Sequence, residues 1–326
     1  MNTRAIALIF VSYLYSTVLL SADVKIKDKE LREAAKANFV ALPKNIIDVK
    51  KNADLITLGK RLYFEKKMSI NNSISCNSCH NLDKYGVDLE ATSPGHDGTR
   101  GERNSPTVYN AALNFVQFWD GRAKDVEEQA IGPILNPIEH GMPSAEEVMK
   151  RLADDKNYVA QFSKAFGGNK EAFIYKNVGV AIGAFERTLL TPSRFDDYLN
   201  GKNNALTNIE KKGLKKFIEV GCIACHNGVN IGGNSFQKLG AVEEYLSKDT
   251  GRYHVTKNDD DKFLFKVPTL RNIIHTAPYF HDGSLKILED VIKIMGKHQL
   301  GVVLTNDEIV SIKTFLATLS AKKLKY

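Results

Sequence analysis

The chain has 326 residues, 43% of them hydrophobic, enough to build two packed cores of ordinary size. Its formal charge of +7 is spread over lysines scattered along helical patterns, with no basic block interleaved with aromatics. That distribution argues against a nucleic-acid partner and for a solvated surface.

The first element in the chain reads as a leader. Arg4, the apolar run from Ala5 to Leu20 and the small residues after it form the charged, hydrophobic and cleavage regions of a secretory signal peptide, with cleavage expected after Ala22. The rival reading is a retained membrane anchor, although the run falls short of the roughly 20 residues that span a bilayer. Loss of residues 1–22 removes Arg4 and no acidic side chain, which leaves +6 on a soluble, exported chain.

A helix is expected through "LGKRLYF", with Gly59 and Tyr63 one turn apart, and directly after it comes "SCNSCHNL". The pattern returns in the second half: "KGLKKFI" carries Gly213 and Phe217 at the same spacing and leads into "GCIACHNG". All four cysteines of the chain lie in these two Cys-x-x-Cys-His motifs. In an oxidising compartment four cysteines would ordinarily pair as disulfides. A His directly after each pair matches instead the attachment signal of c-type haem, where two thiols form thioethers and the adjacent His supplies the proximal iron ligand. Cys76, Cys79 and His80 hold one haem on this reading, and Cys222, Cys225 and His226 another. A zinc site or a redox dithiol is the alternative, but zinc modules bring their paired ligands within a few tens of residues, whereas 142 residues separate Cys79 from Cys222.

Between the motifs, the stretch from Ser93 to Pro106 reads as a loop, and Val178, Ile182, Phe185 and Leu189 form an aliphatic helical stripe. Pro192 marks a junction. Thr207 with Glu210 and Thr305 with Glu308 have capping-box spacing, the second pair opening the stripe Ile309, Ile312, Leu316 and Leu319. Residues 248–262 read as a second long loop, whose acidic run Asp259 to Asp261 lacks the spacing of a calcium loop and reads as a solvated turn. Strand patterns are sparse. The expected fold is all-α, two cytochrome c-like domains joined by long loops: residues 1–22 the leader, 23–190 the first domain, 191–326 the second.

The stretches "SCNSCHNL", "RNSPTVYNAALNFVQFWDGRA", "EEQAIGP", "GCIACHNGVN", "PTLRNIIHTAPYFHDGS" and "IMGKHQLG", in this order, resemble the bacterial di-haem cytochrome c peroxidases across nearly all of the mature length. The resemblance implies a periplasmic enzyme that reduces hydrogen peroxide to water. Electrons from a small c-type cytochrome or similar donor would be received at a C-terminal Met/His haem and passed to an N-terminal peroxidatic haem. It also implies a homodimer and one calcium ion, held by Asn104 and the backbone carbonyls of Thr276 and Pro278, oxygen donors that suit this hard cation.

Spacing leaves Met295, 69 residues after His226, and Met142, 62 residues after His80, as equal candidates for an axial thioether. The resemblance selects Met295, where a thioether opposite His favours ferrous iron. It also places His96 as a detachable distal ligand of the first haem and Glu139 as the group that moves the peroxide proton, with Gln129 beside it. His140 is a competitor for the proton role, with a suitable intrinsic pKa. Trp119, the only tryptophan, maps between the two haems. His281 falls within a family motif, whereas His254, His275 and His298 read as surface or packing residues. The alternative function is a non-catalytic periplasmic di-haem electron carrier, which has no need of His96, Glu139 or Gln129. A third, oxidation of a partner protein during cofactor maturation, is disfavoured by Met295, since that branch typically carries tyrosine at this position.

Overall fold

A computed structural model describes residues 28–322, 324 and 326. The leader, residues 1–22, lies outside the described residues. Among those described, no helix is long and apolar enough to cross a membrane.

The chain is mostly helical: α1 (Asp28–Lys36), α2 (Ala53–Tyr63), α3 (Cys76–Cys79), α4 (Val126–Leu135), α5 (Ala145–Ala153), α6 (Lys156–Ala165), α7 (Tyr175–Glu186), α8 (Arg194–Leu199), α9 (Asn208–Glu219), α10 (Tyr253–Thr256), α11 (Leu288–Leu300) and α12 (Asn306–Ala317). Both expected capping boxes form. Thr207 and Glu210 open α9, and Thr305 and Glu308 open α12, each pair satisfying two of the backbone donors that a helix start leaves free. An antiparallel ribbon, β1 (Phe236–Lys238) with β2 (Leu264–Lys266), pairs Phe236 with Lys266 and departs from the purely helical expectation. The segment 93–106 is irregular, as expected, but 248–262 encloses the short helix α10.

Two hydrophobic cores organise the helices. Leu58, Leu62, Tyr63, Val178, Ile182, Phe185 and Leu189 belong to the first, and Leu214, Phe217, Ile309, Ile312, Phe315 and Leu316 to the second. Each is centred on a helix crossing that needs glycine. At Gly59 on α2 a Cβ would collide with the carbonyl oxygen of Ala181 on α7, and at Gly213 on α9 with that of Ser311 on α12. One turn on, Tyr63 packs against Phe185 with ring centroids 5.4 Å apart, and Phe217 against Phe315 at 5.3 Å.

A second internal repeat follows each crossing. "PTVYN" at 106–110 and "PTLRN" at 268–272 both end on a buried asparagine in the left-handed region, φ 61° for Asn110 and 64° for Asn272. Asn110 N–H donates to Leu189 O and its Oδ1 accepts from Thr191 N; likewise Asn272 N–H donates to Leu319 O and its Oδ1 accepts from Ala321 N. Both side-chain amides donate to the one hydroxyl of Thr191, at 2.6 and 3.0 Å.

The chain ends are exchanged between the cores. Leu31 and Ala35 of α1, with Phe39, pack into the second core, and Leu324 lies against the first. The sequence ranges 23–190 and 191–326 assign each of these segments to the opposite unit.

Candidate active site

The first attachment motif is set by the turn around α3. Ser75 and Ser78 cap its start reciprocally, and the buried Tyr63 hydroxyl donates to His80 O at 2.5 Å. Burial pushes the Cys76 thiol up to about 12 and Cys79 to about 11, with Cys222 also at about 12. The shift is opposite in direction to the depressed cysteines of redox dithiols. Among the described residues, no three His, Cys, Asp or Glu side chains converge as a metal-holding group.

Each motif histidine is prepared in the same way. His80 Nδ1 and His226 Nδ1 are buried without a hydrogen bond, with the backbone of Pro106 and Gly86 beside the first imidazole and of Ile231 and Pro268 beside the second. Desolvation keeps both imidazoles neutral, His226 down at about 4, which is the form that ligates iron.

Around the first motif the structure gathers His96, Glu139 and His140. The loop bearing His96 is pinned to the turn after α4: His96 N–H donates to Glu139 O at 2.9 Å, its ring Nε2 lies 3.2 Å from Pro137 O, and Asn71 Nδ2 donates to His96 O at 2.5 Å. A side chain at Gly141 would strike the His96 ring, which therefore packs closely against that turn. Glu139 Oε1 accepts from Asn136 Nδ2 at 3.0 Å, while burial raises its carboxyl above the usual range against the opposing field of Arg122. Its charge is felt at both Cys76 and Cys79. His140 is buried and held, with Nδ1 3.0 Å from Met68 O and a pKa lowered by desolvation. Gln129 is half-buried on α4, and its amide makes no hydrogen bond to a described residue.

The second motif opens onto an apolar cavity lined by Cys222, Cys225, His226, Leu288, Ile292 and Met295. α11 thus brings Met295 to the same space as His226, while Met142 is 2% exposed inside the first core. The cavity, with an imidazole, a thioether and two thiols in its lining, fits a covalently held haem. Trp119, Asn104, Thr276 and Pro278 reach the same cavity. Trp119 Nε1 donates to Asn104 O at 2.9 Å, and Trp119 O accepts from Lys266 N at 2.8 Å, so its peptide joins the two halves. Asn104 Nδ2 donates to the carbonyls of Glu90 and Ala91 at 3.0 and 3.3 Å.

The profile described as di-haem cytochrome c peroxidase matches residues 53–204. A cytochrome c551 peroxidase of Pseudomonas aeruginosa is 42% identical over 319 residues, 95% of this chain and 90% of that protein. One from Nitrosomonas europaea is 46% identical over 273 residues, 82% of this chain and 80% of its own. The chain belongs to the di-haem cytochrome c peroxidase family. The fold agrees: the crystal structure of a MauG-like protein associated with microbial copper homeostasis superposes with a TM-score of 0.77 at 28% identity, covering 87% of this chain and 95% of that one.

Other residues at the peroxidase's site had no signal in the one-dimensional pattern. Glu186 on α7 is buried and pushed up to about 8 by desolvation, with Glu127 adding to it, and its field reaches Tyr63 and Cys76. Arg103 ties Asp120 to Asp249, with contacts of 2.6 Å to each. His275, expected only to pack, stacks on Tyr85 with ring centroids 3.9 Å apart. His281 stacks on Phe265 at 4.3 Å and bonds Ser247 Oγ at 3.1 Å, beside Trp119.

Proposed function

We propose that the enzyme is a hydrogen-peroxide reductase whose two halves divide the work, with peroxide handled on the Glu139 side and electrons accepted on the Met295 side from a small c-type cytochrome or similar donor. The overall change consumes two electrons and two protons per peroxide and releases two waters. Covalent haems would be held at Cys76/Cys79 with His80 and at Cys222/Cys225 with His226, and would supply redox-active iron, with His96 and Met295 the further candidate ligands. Glu139 is the proton carrier. Its Oε1 is occupied by Asn136, which leaves Oε2 to take a proton from the inner peroxide oxygen and return it to the outer one. The raised pKa brings the carboxyl nearer the operating pH, where a group can both accept and donate.

His96 is the detachable cover of this side: its loop rests on the Glu139 turn through a few hydrogen bonds and could move without disturbing the core. Gln129 supports the same pocket from α4. Trp119, bonded into both halves, fills the space between them. Asn104, with the carbonyls of Thr276 and Pro278, holds one calcium between the halves. The leader-like start supports export to the periplasm, and the family likeness supports a homodimer.

The observation that carries this reading is the convergence of Glu139, His96 and His140 around one motif while the other faces an apolar cavity and Met295. An electron carrier has no use for the first arrangement. The test is peroxide consumption by the half-reduced holoprotein supplied with a reduced c-type cytochrome. Steady turnover is expected; electron exchange with the cytochrome and no loss of peroxide would leave a carrier.

A further inference from the structure

The described residues include three buried cationic side chains, Lys211, Lys266 and Arg271. Lys211 is paired with Asp28 at 2.6 Å and Arg271 with Asp196 at 3.0 Å. Lys266 is 4% exposed, and its side-chain ammonium forms no hydrogen bond or ion pair with a described residue. Burial alone pushes its ammonium down to about 8, and no neighbouring charge acts on it. The carboxylates on the segments that adjoin Trp119 and β2 in sequence are paired with arginines: Asp120 with Arg103 and Arg122, Asp249 with Arg103, Asp261 with Arg252.

The position is built. Lys266 is held in β2 opposite Phe236, and its backbone N–H is bonded to Trp119 O at 2.8 Å. It lines the cavity between the halves together with Trp119, Gln237, His226 and Pro268. A cation taken out of water without a partner is strongly disfavoured, so a charged ammonium in this cavity favours an anionic partner. The carboxylates that the attachment motifs would introduce into this cavity are haem propionates.

We propose that Lys266 is the counter-cation of a haem propionate in the cavity between the two halves, and that its charge holds up the reduction potential of that haem. This rests on the di-haem reading, and the propionates of either haem have the required chemistry. A fixed positive charge close to the porphyrin favours the ferrous over the ferric state, because the ferric state carries one more positive charge. Removing it shifts the equilibrium towards ferric iron.

The experiment is a spectroscopic redox titration of the holoprotein and of Lys266→Met and Lys266→Arg, with covalent haem counted by mass spectrometry in each sample. Lys266→Met should retain two haems and lower the ferrous-to-ferric ratio of one of them at fixed potential by about tenfold, equivalent to about 59 mV for one electron. Lys266→Arg should hold the original value. Which midpoint moves, the higher or the lower, identifies the haem whose propionate is bound. Two haems with both midpoints unchanged in Lys266→Met would overturn the proposal, as would an equal fall in Lys266→Arg, which would assign the effect to packing. A second arm needs no mutation: the propionate bending band of the same haem in resonance Raman spectra should shift on exchange into D2O, and a band indifferent to exchange would count against the contact. Absence of haem from the unmutated protein would instead end the di-haem reading.

Discussion

The two halves share a frame and differ in what they set against it. Gly59 on α2 meets Ala181 as Gly213 on α9 meets Ser311, and each crossing is followed by a Cys-x-x-Cys-His turn with an orphaned imidazole nitrogen. Beyond that frame they diverge. The first turn faces Glu139, His140 and the His96 loop, all polar and titratable, while the second faces Leu288, Ile292 and Met295 of α11. Helix packing fixes where a cofactor is tethered, and the segments inserted after the tether decide which chemistry it meets.

The largest effect should come from removing the group that most separates the halves. Glu139→Gln keeps the shape and the Asn136 contact but cannot shuttle a proton, and a positioned acid–base group commonly contributes on the order of 10²–10⁴ in rate. Both haems should remain, with turnover lost by that factor in a steady-state peroxide assay; near-normal turnover would pass the role to His140. The sign of the pH dependence follows from the raised Glu139 pKa. With the carboxylate as the proposed base, turnover should fall as pH drops through a value above the ordinary carboxylate range, and this limb should vanish in the variant. An acid limb at the usual carboxylate value would mean that Glu139 is solvated in the working enzyme.

Met295→His makes the other half resemble a low-potential site. Covalent attachment through Cys222 and Cys225 should survive, while the higher midpoint falls as a stronger donor favours ferric iron. A cytochrome donor then reduces it poorly and turnover drops. An unchanged higher midpoint would show that Met295 is not a ligand, and a lowered one with full activity would show that the second haem need not be filled first.

Much of this contrast is legible in the sequence, for physical reasons. Thioether attachment needs two thiols and an adjacent imidazole, so Cys76–His80 and Cys222–His226 can be read locally. The Gly59 and Gly213 repeat is visible because a close helix crossing tolerates no Cβ. The capping boxes at Thr207 and Thr305 are visible because their partners lie three residues away. What was not legible depends on partners distant in sequence. The repeat "PTVYN" and "PTLRN" looks unremarkable until Asn110 and Asn272 meet at Thr191. Lys266 reads as one more solvated lysine, and nothing in residues 28–39 announces that α1 packs with the second core. His96 and Glu139 were reachable only through family likeness, since a histidine among glycines and a single glutamate are ordinarily exposed.

The shared frame can itself be tested. Gly59→Ala and Gly213→Ala each force a methyl against a backbone carbonyl that has no rotamer with which to yield. The loss should lie at the upper end of the about 1–3 kcal/mol typical of overpacking, read as the fall in denaturation midpoint. Comparable losses would confirm that the crossings are equivalent. A tolerated Gly213→Ala beside a damaging Gly59→Ala would show that the second crossing is looser and that the likeness is one of sequence more than of packing.

The smallest effect concerns the point where the halves touch. Thr191 is 1% exposed, and its hydroxyl accepts from both asparagine side chains, Asn110 at 2.6 Å and Asn272 at 3.0 Å. Thr191→Val preserves shape and removes the acceptor, leaving two buried amide donors unsatisfied at a cost of about 1–3 kcal/mol. Because one donor belongs to each half, the loss should appear less in the stability of either core than in their coupling. Calorimetry of the holoprotein should show the unfolding endotherm broadening or dividing, with each half keeping its own haem spectrum up to its own transition. Thr191→Ser, which retains the hydroxyl, should restore a single transition. An endotherm that shifts downward in Thr191→Val without changing shape would mean that the halves are held together elsewhere, with the Arg103 bridge between Asp120 and Asp249 the next contact to remove.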